Sequence, residues 1–119
     1  QGDTTVITEK FLAQEEMVSV DTAYFLSLVQ GVLEDKVSLD TQLQLFLDRP
    51  LKELDLVELA ILRLGAYELS QHPEVPYKVI LNESIELAKM FGATDSYKYI
   101  NGILHLLAKT IRVLEFKDK

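Results

Sequence analysis

The 119-residue sequence predicts an all-α protein. Strong helix formers dominate it, apolar residues recur at helical spacing, and sustained alternation of β-branched residues is absent. Apolar residues make up 48% and charged residues 26% of the chain, as in ordinary globular proteins. This length fits one domain, and we expect residues 1–119 to form a single compact helical bundle.

Two helices are predicted in the first half of the chain. Asp21 can cap the first helix, which continues to Lys36 with its apolar residues on one face. Ser38 or Asp40 can cap a second, shorter helix. That helix should end at Arg49, because the residue before a proline avoids helical backbone angles.

A third helix is predicted from Asp55 to about Gln71. Asp55 followed by Glu58 resembles a capping box, with Asp in place of the usual Ser or Thr. The apolar residues of this segment form a wide stripe, which indicates a helix surrounded by others. We therefore expect it to lie at the centre of the bundle.

Two more helices are predicted in the second half. Pro76 suits the first turn of one helix, where its missing N–H would be unpaired anyway, and Gly92 suits its C-terminal cap. Thr94 or Asp95 can cap the last long helix. Residues 115–119 are expected to form a charged tail.

The net charge of −7 is unevenly distributed. Residues 1–71 hold 5 basic and 13 acidic residues, a net charge of −8, whereas residues 72–119 carry +1. An acidic chain does not attract nucleic acid through its overall field, so any such site must be local. The acidic first half better suits a basic protein partner.

The composition also bears on the compartment. The chain has no cysteine, which excludes disulfides and thiolate metal sites and fits a reducing compartment. Neither a signal peptide nor a run of about 20 apolar residues is present. We expect a cytoplasmic protein without a membrane role.

No pattern indicates an enzyme. His72 and His105 lack the spacing of a metal site, and Glu83 with Glu86 is typical of an exposed helix face. A nucleophile–base set and a glycine-rich phosphate loop are both missing. We expect neither catalytic activity nor a cofactor or metal.

Asn82 and Asn101 stand among apolar residues in helical segments, where Asn is a poor helix former. Partial burial is expected for both, and a buried amide requires a hydrogen-bond partner. Our interpretation is that they are structural polar residues that hold helices together. Direct contact with a ligand is the alternative.

Asp95, Lys98 and Tyr99 open the last long helix. Asp95 favours the positive end of the helix dipole, while Lys98 and Tyr99 offer a phosphate contact and a stacking surface for single-stranded RNA. The same residue types also fit a cap, a solvated lysine and a core tyrosine. Glu58 could likewise be only a capping residue.

Together these residues resemble the NusB family of bacterial transcription antitermination factors. The resemblance covers nearly the whole chain and is most specific in its second half. The matching segments are DTAYFLSLVQGV (21–32), LDLVELAILRLGAYEL (54–69) and VPYKVILNESIELAKMFGATDSYKYINGIL (75–104).

The resemblance implies a bundle of two packed three-helix units. It also implies pairing with ribosomal protein NusE, binding of boxA RNA and entry into the RNA polymerase antitermination complex, which suppresses termination during ribosomal RNA synthesis. By the same resemblance, Glu58 faces the NusE partner, and Asp95, Lys98 and Tyr99 belong to the RNA-binding surface. Tyr99 stands where the family usually has Phe, which keeps the stacking ring.

One departure from the family pattern is large. NusB proteins typically begin with an Arg-rich helix that contributes to RNA binding, whereas the first basic residue here is Lys10. The resemblance therefore implies either a divergent member or one that is N-terminally incomplete, through truncation or proteolysis, and lacks the first helix. Apolar faces exposed by that loss could be covered by another copy of the chain in a homodimer.

Two other functions stay open at this stage. One is a helical protein-interaction module without RNA binding of its own, which the acidic composition favours. The other is a NusB-like accessory domain of a ribosomal RNA methyltransferase, which would require a longer chain.

Overall fold

The computed structural model describes residues 22–117, and the predicted all-α class is confirmed. Asp21, the predicted first cap, lies outside the described residues. Between residues 22 and 117 no helix is long and apolar enough to cross a bilayer. The elements are α1 (Thr22–Gln44), a 3-10 helix (Leu51–Glu53), α2 (Leu56–Gln71), α3 (Tyr77–Phe91), α4 (Ser96–Ile111) and α5 (Val113–Phe116).

Helix α2 lies at the centre of the bundle, as predicted. It packs against α1, α3 and α4, and α3 also packs along α4. Nearly every residue from Leu59 to Leu69 is buried, including the fully buried Ile61 and Leu62. Burial of each large aliphatic side chain contributes about 1.5–3 kcal/mol, so this helix supplies much of the stability.

The first half of the chain follows the prediction of two helices, except for the cap of the second. Two helical segments of α1 meet at a kink at Asp35, whose backbone angles (φ −105°, ψ 16°) are not helical, close to the predicted end of the first helix at Lys36. The second segment follows Asp35 directly, ahead of Ser38 and Asp40, so both predicted caps are wrong. The Asp40 carboxylate instead accepts two hydrogen bonds from Arg63 of α2, each of 2.8 Å.

Helices α1 and α2 approach closely at a glycine. A Cβ atom on Gly31 of α1 would overlap the ring of Tyr67 on α2. Because any larger residue would push the ring or the helix away, Gly31 sets the distance between these two helices.

The predicted cap of α2 is confirmed. The Asp55 carboxylate accepts hydrogen bonds from the backbone N–H groups of Val57 (2.7 Å) and Glu58 (3.1 Å). The capping box is not completed, because the Glu58 carboxylate bonds to Ser96 of α4 instead. Glu58 is thus more than a capping residue.

The ends of α3 and the start of α4 follow the prediction in position but not in every detail. Pro76 directly precedes α3 rather than lying in its first turn. Gly92 ends α3 with an extended backbone (φ −91°, ψ 175°), not a left-handed one. Asp95 precedes α4 in a left-handed conformation (φ 69°), and its side chain does not cap the helix.

The C-terminal segment is folded against the bundle by Arg112. Residues 113–116 form α5, so the charged tail predicted for residues 115–119 is helical at its start, and Glu115 binds both Arg112 and the backbone N–H of Tyr77. Arg112 is buried. Its guanidinium donates hydrogen bonds of 2.9 Å to the carbonyl oxygens of Leu69, His72 and Val75.

Candidate nucleic-acid and partner interface

The residue predicted to face a protein partner and the segment predicted to face RNA meet in the structure. Glu58 is half-buried in the first turn of α2, and Ser96 is buried at the first position of α4. The Ser96 hydroxyl donates a 2.6 Å hydrogen bond to Glu58 Oε2. The two predicted sites are therefore adjoining parts of one surface.

Asp95 and Lys98 lie at the edge of this surface. Lys98 Nζ is 3.7 Å from Asp95 Oδ1, and their side chains are 67% and 65% exposed. An exposed ion pair of this kind contributes little stability. Lys98 can therefore leave Asp95 for a phosphate at small energetic cost.

Tyr99 is half-buried, with its ring packed against the hydrophobic core. Its hydroxyl donates a 3.0 Å hydrogen bond to Asp48 Oδ1. The guanidinium carbon of Arg49 lies 5.0 Å from the centre of the ring, within the range of a cation–π contact. The ring is therefore both a core residue on its inner side and a polar contact point on its outer side.

Asp48 and Arg49 were not among the predicted site residues. They lie in the segment 45–50 between α1 and the 3-10 helix, which we call the Asp48–Arg49 loop. The sequence assigns Arg49 only to a predicted helix end, and α1 ends earlier, at Gln44. The sequence signal that could have found them is an acidic–basic pair directly before Pro50, shortly ahead of Glu58.

The side chain of Gln44 holds this loop in place. Its Nε2 donates to the carbonyl oxygen of Arg49 (3.0 Å), and its Oε1 accepts from the backbone N–H of Leu51 (3.1 Å). One amide thus joins the end of α1 to both sides of Pro50. The loop held in this way carries Asp48, which accepts the hydrogen bond from the Tyr99 hydroxyl of α4.

Charge interactions in this cluster fix its protonation states. The hydrogen bond from Arg49, followed by that from Tyr99, lowers the pKa of Asp48 to about 2. Partial burial, followed by the hydrogen bond to Asp48, raises the pKa of Tyr99. At neutral pH the Asp48 carboxylate is charged and the Tyr99 hydroxyl is protonated, so the hydroxyl donates. The two basic and three acidic side chains of this surface carry a net charge of −1 (Asp48, Arg49, Glu58, Asp95 and Lys98).

Asn82 and Asn101 do not join this surface by any hydrogen bond. The expected partial burial is wrong for Asn82, which is exposed on the same face of α3 as Lys78 and Lys89, whereas Asn101 is half-buried in α4. Helical spacing explains the difference, since residue 82 falls on the solvent side between the buried positions of α3. Their structural role stays a prediction.

The comparison with known families and proteins agrees with this fold. The family model described as the NusB family matches residues 3–109. This chain belongs to the NusB family. The transcription antitermination protein NusB of Alcanivorax borkumensis is 50% identical over 113 residues, which are 95% of this chain and 75% of that protein. The same protein of Marinobacter nauticus is 49% identical, over 95% of this chain and 72% of its own length.

A solved structure shares the fold. The crystal structure of T. maritima NusB, form 2, matches with a TM-score of 0.72 at 24% sequence identity, over 98% of this chain and 95% of that one. The chain is a NusB transcription antitermination factor, and this family's role is not enzymatic. Antitermination implies RNA and transcription-factor partners.

Proposed function

We propose that this NusB chain is an RNA-binding adaptor in the cytoplasm. It pairs with ribosomal protein NusE, and the pair binds boxA RNA within the RNA polymerase antitermination complex and suppresses termination in ribosomal RNA synthesis. The observation that carries this proposal is the 2.6 Å hydrogen bond between Ser96 and Glu58. It joins the acid assigned to the protein partner with the helix start assigned to RNA.

The protein side of the surface is acidic. Glu58 Oε2 accepts from Ser96, and Oε1 makes no hydrogen bond within residues 22–117, so it could accept one from a basic group of NusE. The net charge of −8 over residues 1–71 would attract a basic partner from a distance. We therefore assign partner binding to Glu58 and its acidic surroundings.

The RNA side is small. Lys98 offers a phosphate contact and Tyr99 a partly exposed ring, and Asp95 lies beside them. A local net charge of −1 does not hold a polyanion by itself, since nucleic-acid affinity depends on the number of neutralised phosphates. RNA binding by this surface thus needs the charges of the basic partner.

The proposal is tested by titrating fluorescently labelled boxA RNA with the chain, with NusE and with an equimolar mixture, following anisotropy at several salt concentrations. We expect the mixture to bind more tightly than either protein alone, with affinity falling as salt rises. Binding by the mixture that is no tighter than binding by NusE alone would contradict the proposal.

A matched pair of α4 variants tests the assignment of Lys98. Lys98→Ala should weaken RNA binding by the mixture and reduce the slope of log K against log salt by about 0.7, the value for one lost phosphate contact on a single strand. Lys109→Ala removes the same charge at the other end of the helix and should change neither. Equal effects of the two substitutions would show that only net charge matters.

A protein-interaction module without RNA binding is the second candidate, favoured by the net charge of −7. Both candidates predict that Glu58→Lys weakens NusE binding in calorimetry, while Glu53→Lys, an equal charge change on the exposed 3-10 helix, has a smaller effect. They differ in the anisotropy titration. If NusE binds the chain and RNA affinity does not rise, the module is the better description.

A further inference from the structure

We infer that Arg49 is a further RNA-contacting residue of this surface and that Asp48 positions it. The inference rests on the proposed function, because it adds a third contact to the surface of Lys98 and Tyr99. It starts from the position of Arg49, whose guanidinium carbon lies 5.0 Å from the centre of the Tyr99 ring. Residues from two distant parts of the chain, the Asp48–Arg49 loop and α4, thus converge at one point.

Arg49 keeps unused hydrogen-bonding capacity. A guanidinium group carries five N–H donors. Asp48 accepts two of them, from Nε at 2.8 Å and from Nη2 at 3.1 Å. The other three make no hydrogen bond to residues 22–117, and 44% of the side chain is exposed. A planar fork with open donors matches the geometry of a phosphate group.

Asp48 holds both the Arg49 guanidinium and the Tyr99 hydroxyl in position. Its Oδ1 accepts from Arg49 Nε and from the Tyr99 hydroxyl, at 2.8 and 3.0 Å. The carboxylate therefore sets the orientation of the guanidinium relative to the ring. Because Gln44 and Pro50 already fix the backbone of the loop, ligand binding would require little further ordering of Arg49.

Single-stranded RNA is the ligand that uses all of these groups. Arg49 and Lys98 would contact backbone phosphates, and a base would contact the exposed edge of the Tyr99 ring or stack on the guanidinium that lies over it. The acidic side chains of Asp48, Glu58 and Asp95 around them oppose diffuse attraction of a polyanion. Arg49 must therefore contact a phosphate directly to contribute to affinity. RNA affinity then depends on how Arg49 is positioned.

The first test replaces Arg49 in the mixture of this chain and NusE and follows labelled boxA RNA by anisotropy. Arg49→Ala should weaken binding about tenfold, as expected for loss of a charge-assisted hydrogen bond, and reduce the salt slope by about 0.7. Arg49→Lys should retain the slope but bind less tightly than the wild type. Lys52→Ala removes the same charge from the exposed 3-10 helix and should leave affinity within about twofold of the wild type.

The second test separates positioning from charge. Asp48→Asn removes a negative charge, so simple electrostatics predicts tighter RNA binding. A positioning role predicts weaker binding, because an asparagine cannot accept both N–H groups of Arg49. Glu53→Gln removes an exposed carboxylate nearby and should bind RNA as well as the wild type or slightly better.

The outcomes distinguish failure of this inference from failure of the proposed function. If the wild-type mixture binds RNA no better than NusE alone, the proposed function fails and this inference fails with it. If the mixture binds and Lys98→Ala weakens it, but Arg49→Ala behaves like Lys52→Ala, only the assignment of Arg49 is wrong. Tighter binding by Asp48→Asn would overturn the positioning role of Asp48.

Discussion

The chain contains three arginines, and they divide into two kinds of environment. Arg112 and Arg63 are buried, with 6% and 5% of their side chains exposed, whereas 44% of Arg49 is exposed. The buried pair connect helices, and Arg49 lies on an aromatic ring at the surface. The same side chain thus serves stability in one region and is available for recognition in the other.

The buried and exposed arginines differ in how many of their N–H donors are hydrogen-bonded. Arg112 donates to three backbone carbonyls and to Glu115, so four of its five N–H donors are paired and its burial is largely compensated. Arg49 uses two donors on one carboxylate and leaves the rest to solvent. A buried cation needs partners for nearly all of its donors, whereas an exposed cation with several open donors can bind a ligand.

Substitution of Arg112 should give the largest effect on stability. Arg112→Met keeps the apolar stem but leaves three carbonyl oxygens without their donor, and Glu115 loses its cation. We expect the free energy of unfolding to fall by about 3 kcal/mol. Urea denaturation followed by circular dichroism measures this change.

Arg112→Lys is the matched variant for this prediction. It keeps the charge but cannot reach several carbonyls at once. We expect its free energy of unfolding to lie between those of the wild type and Arg112→Met. If both variants lost less than about 1 kcal/mol, the carbonyl contacts would not be what holds α5 against the bundle.

Asp40→Asn should give the second largest effect. The amide keeps the size of the side chain but cannot accept both N–H groups of Arg63, which is 5% exposed. Loss of this carboxylate, which accepts two N–H groups of the guanidinium, should lower the free energy of unfolding by about 2 kcal/mol. Asp35→Asn, at the bend of the same helix, is the control, and an equal loss there would show that the effect is not specific to the ion pair.

The contrast between the arginines also shows what the sequence could predict. The capping of α2 by Asp55 and the central position of α2 were predictable, because each depends on residues close together in the chain. The kink at Asp35 lies next to the predicted end of the first helix at Lys36, but the caps at Ser38 and Asp40 were wrong, because Asp40 pairs with Arg63 of α2 instead. Burial of Asn82 was wrongly expected because its neighbours in sequence are apolar, although helical spacing places it outside.

The candidate site was predictable only in part, for a related reason. Asp95, Lys98 and Tyr99 are close in sequence, so they could be grouped as a helix start. The hydrogen bonds from Ser96 to Glu58 and from Tyr99 to Asp48 join residues 38 and 51 positions apart. Contacts over such distances depend on tertiary packing, and the family resemblance gave the roles of Glu58 and Tyr99 without their partners.

Glu68 is a buried carboxylate, in contrast to the buried cations Arg63 and Arg112. We expect its ionisation to change stability less than the loss of either arginine's partners. It is 5% exposed and accepts a 2.7 Å hydrogen bond from Tyr24. Burial raises its pKa above the ordinary value of 4.5. Because the folded state then binds the proton more strongly, its contribution to stability is fully present below pH 4.5 and is lost as pH rises through the raised pKa.

Glu68→Gln should therefore be at least as stable as the wild type at pH 8. The advantage should shrink as the pH falls toward 4.5, where Glu68 itself becomes neutral. Thermal unfolding of both proteins across this pH range measures the difference, with the exposed Glu86→Gln as control. An advantage for Glu68→Gln that did not change with pH would mean that something other than ionisation separates the two proteins.

Arg49→Ala should have the smallest effect on folding. Its ion pair with Asp48 is exposed, and pairs of this kind rarely contribute measurable stability. We expect its thermal midpoint to match that of the wild type and of Lys52→Ala in the same scan. An unchanged midpoint together with weaker RNA binding would place Arg49 at the ligand, because loss of fold could not then explain loss of affinity. A lower midpoint would instead group Arg49 with Arg63 and Arg112 as a structural residue, and the division between buried and exposed arginines would not hold.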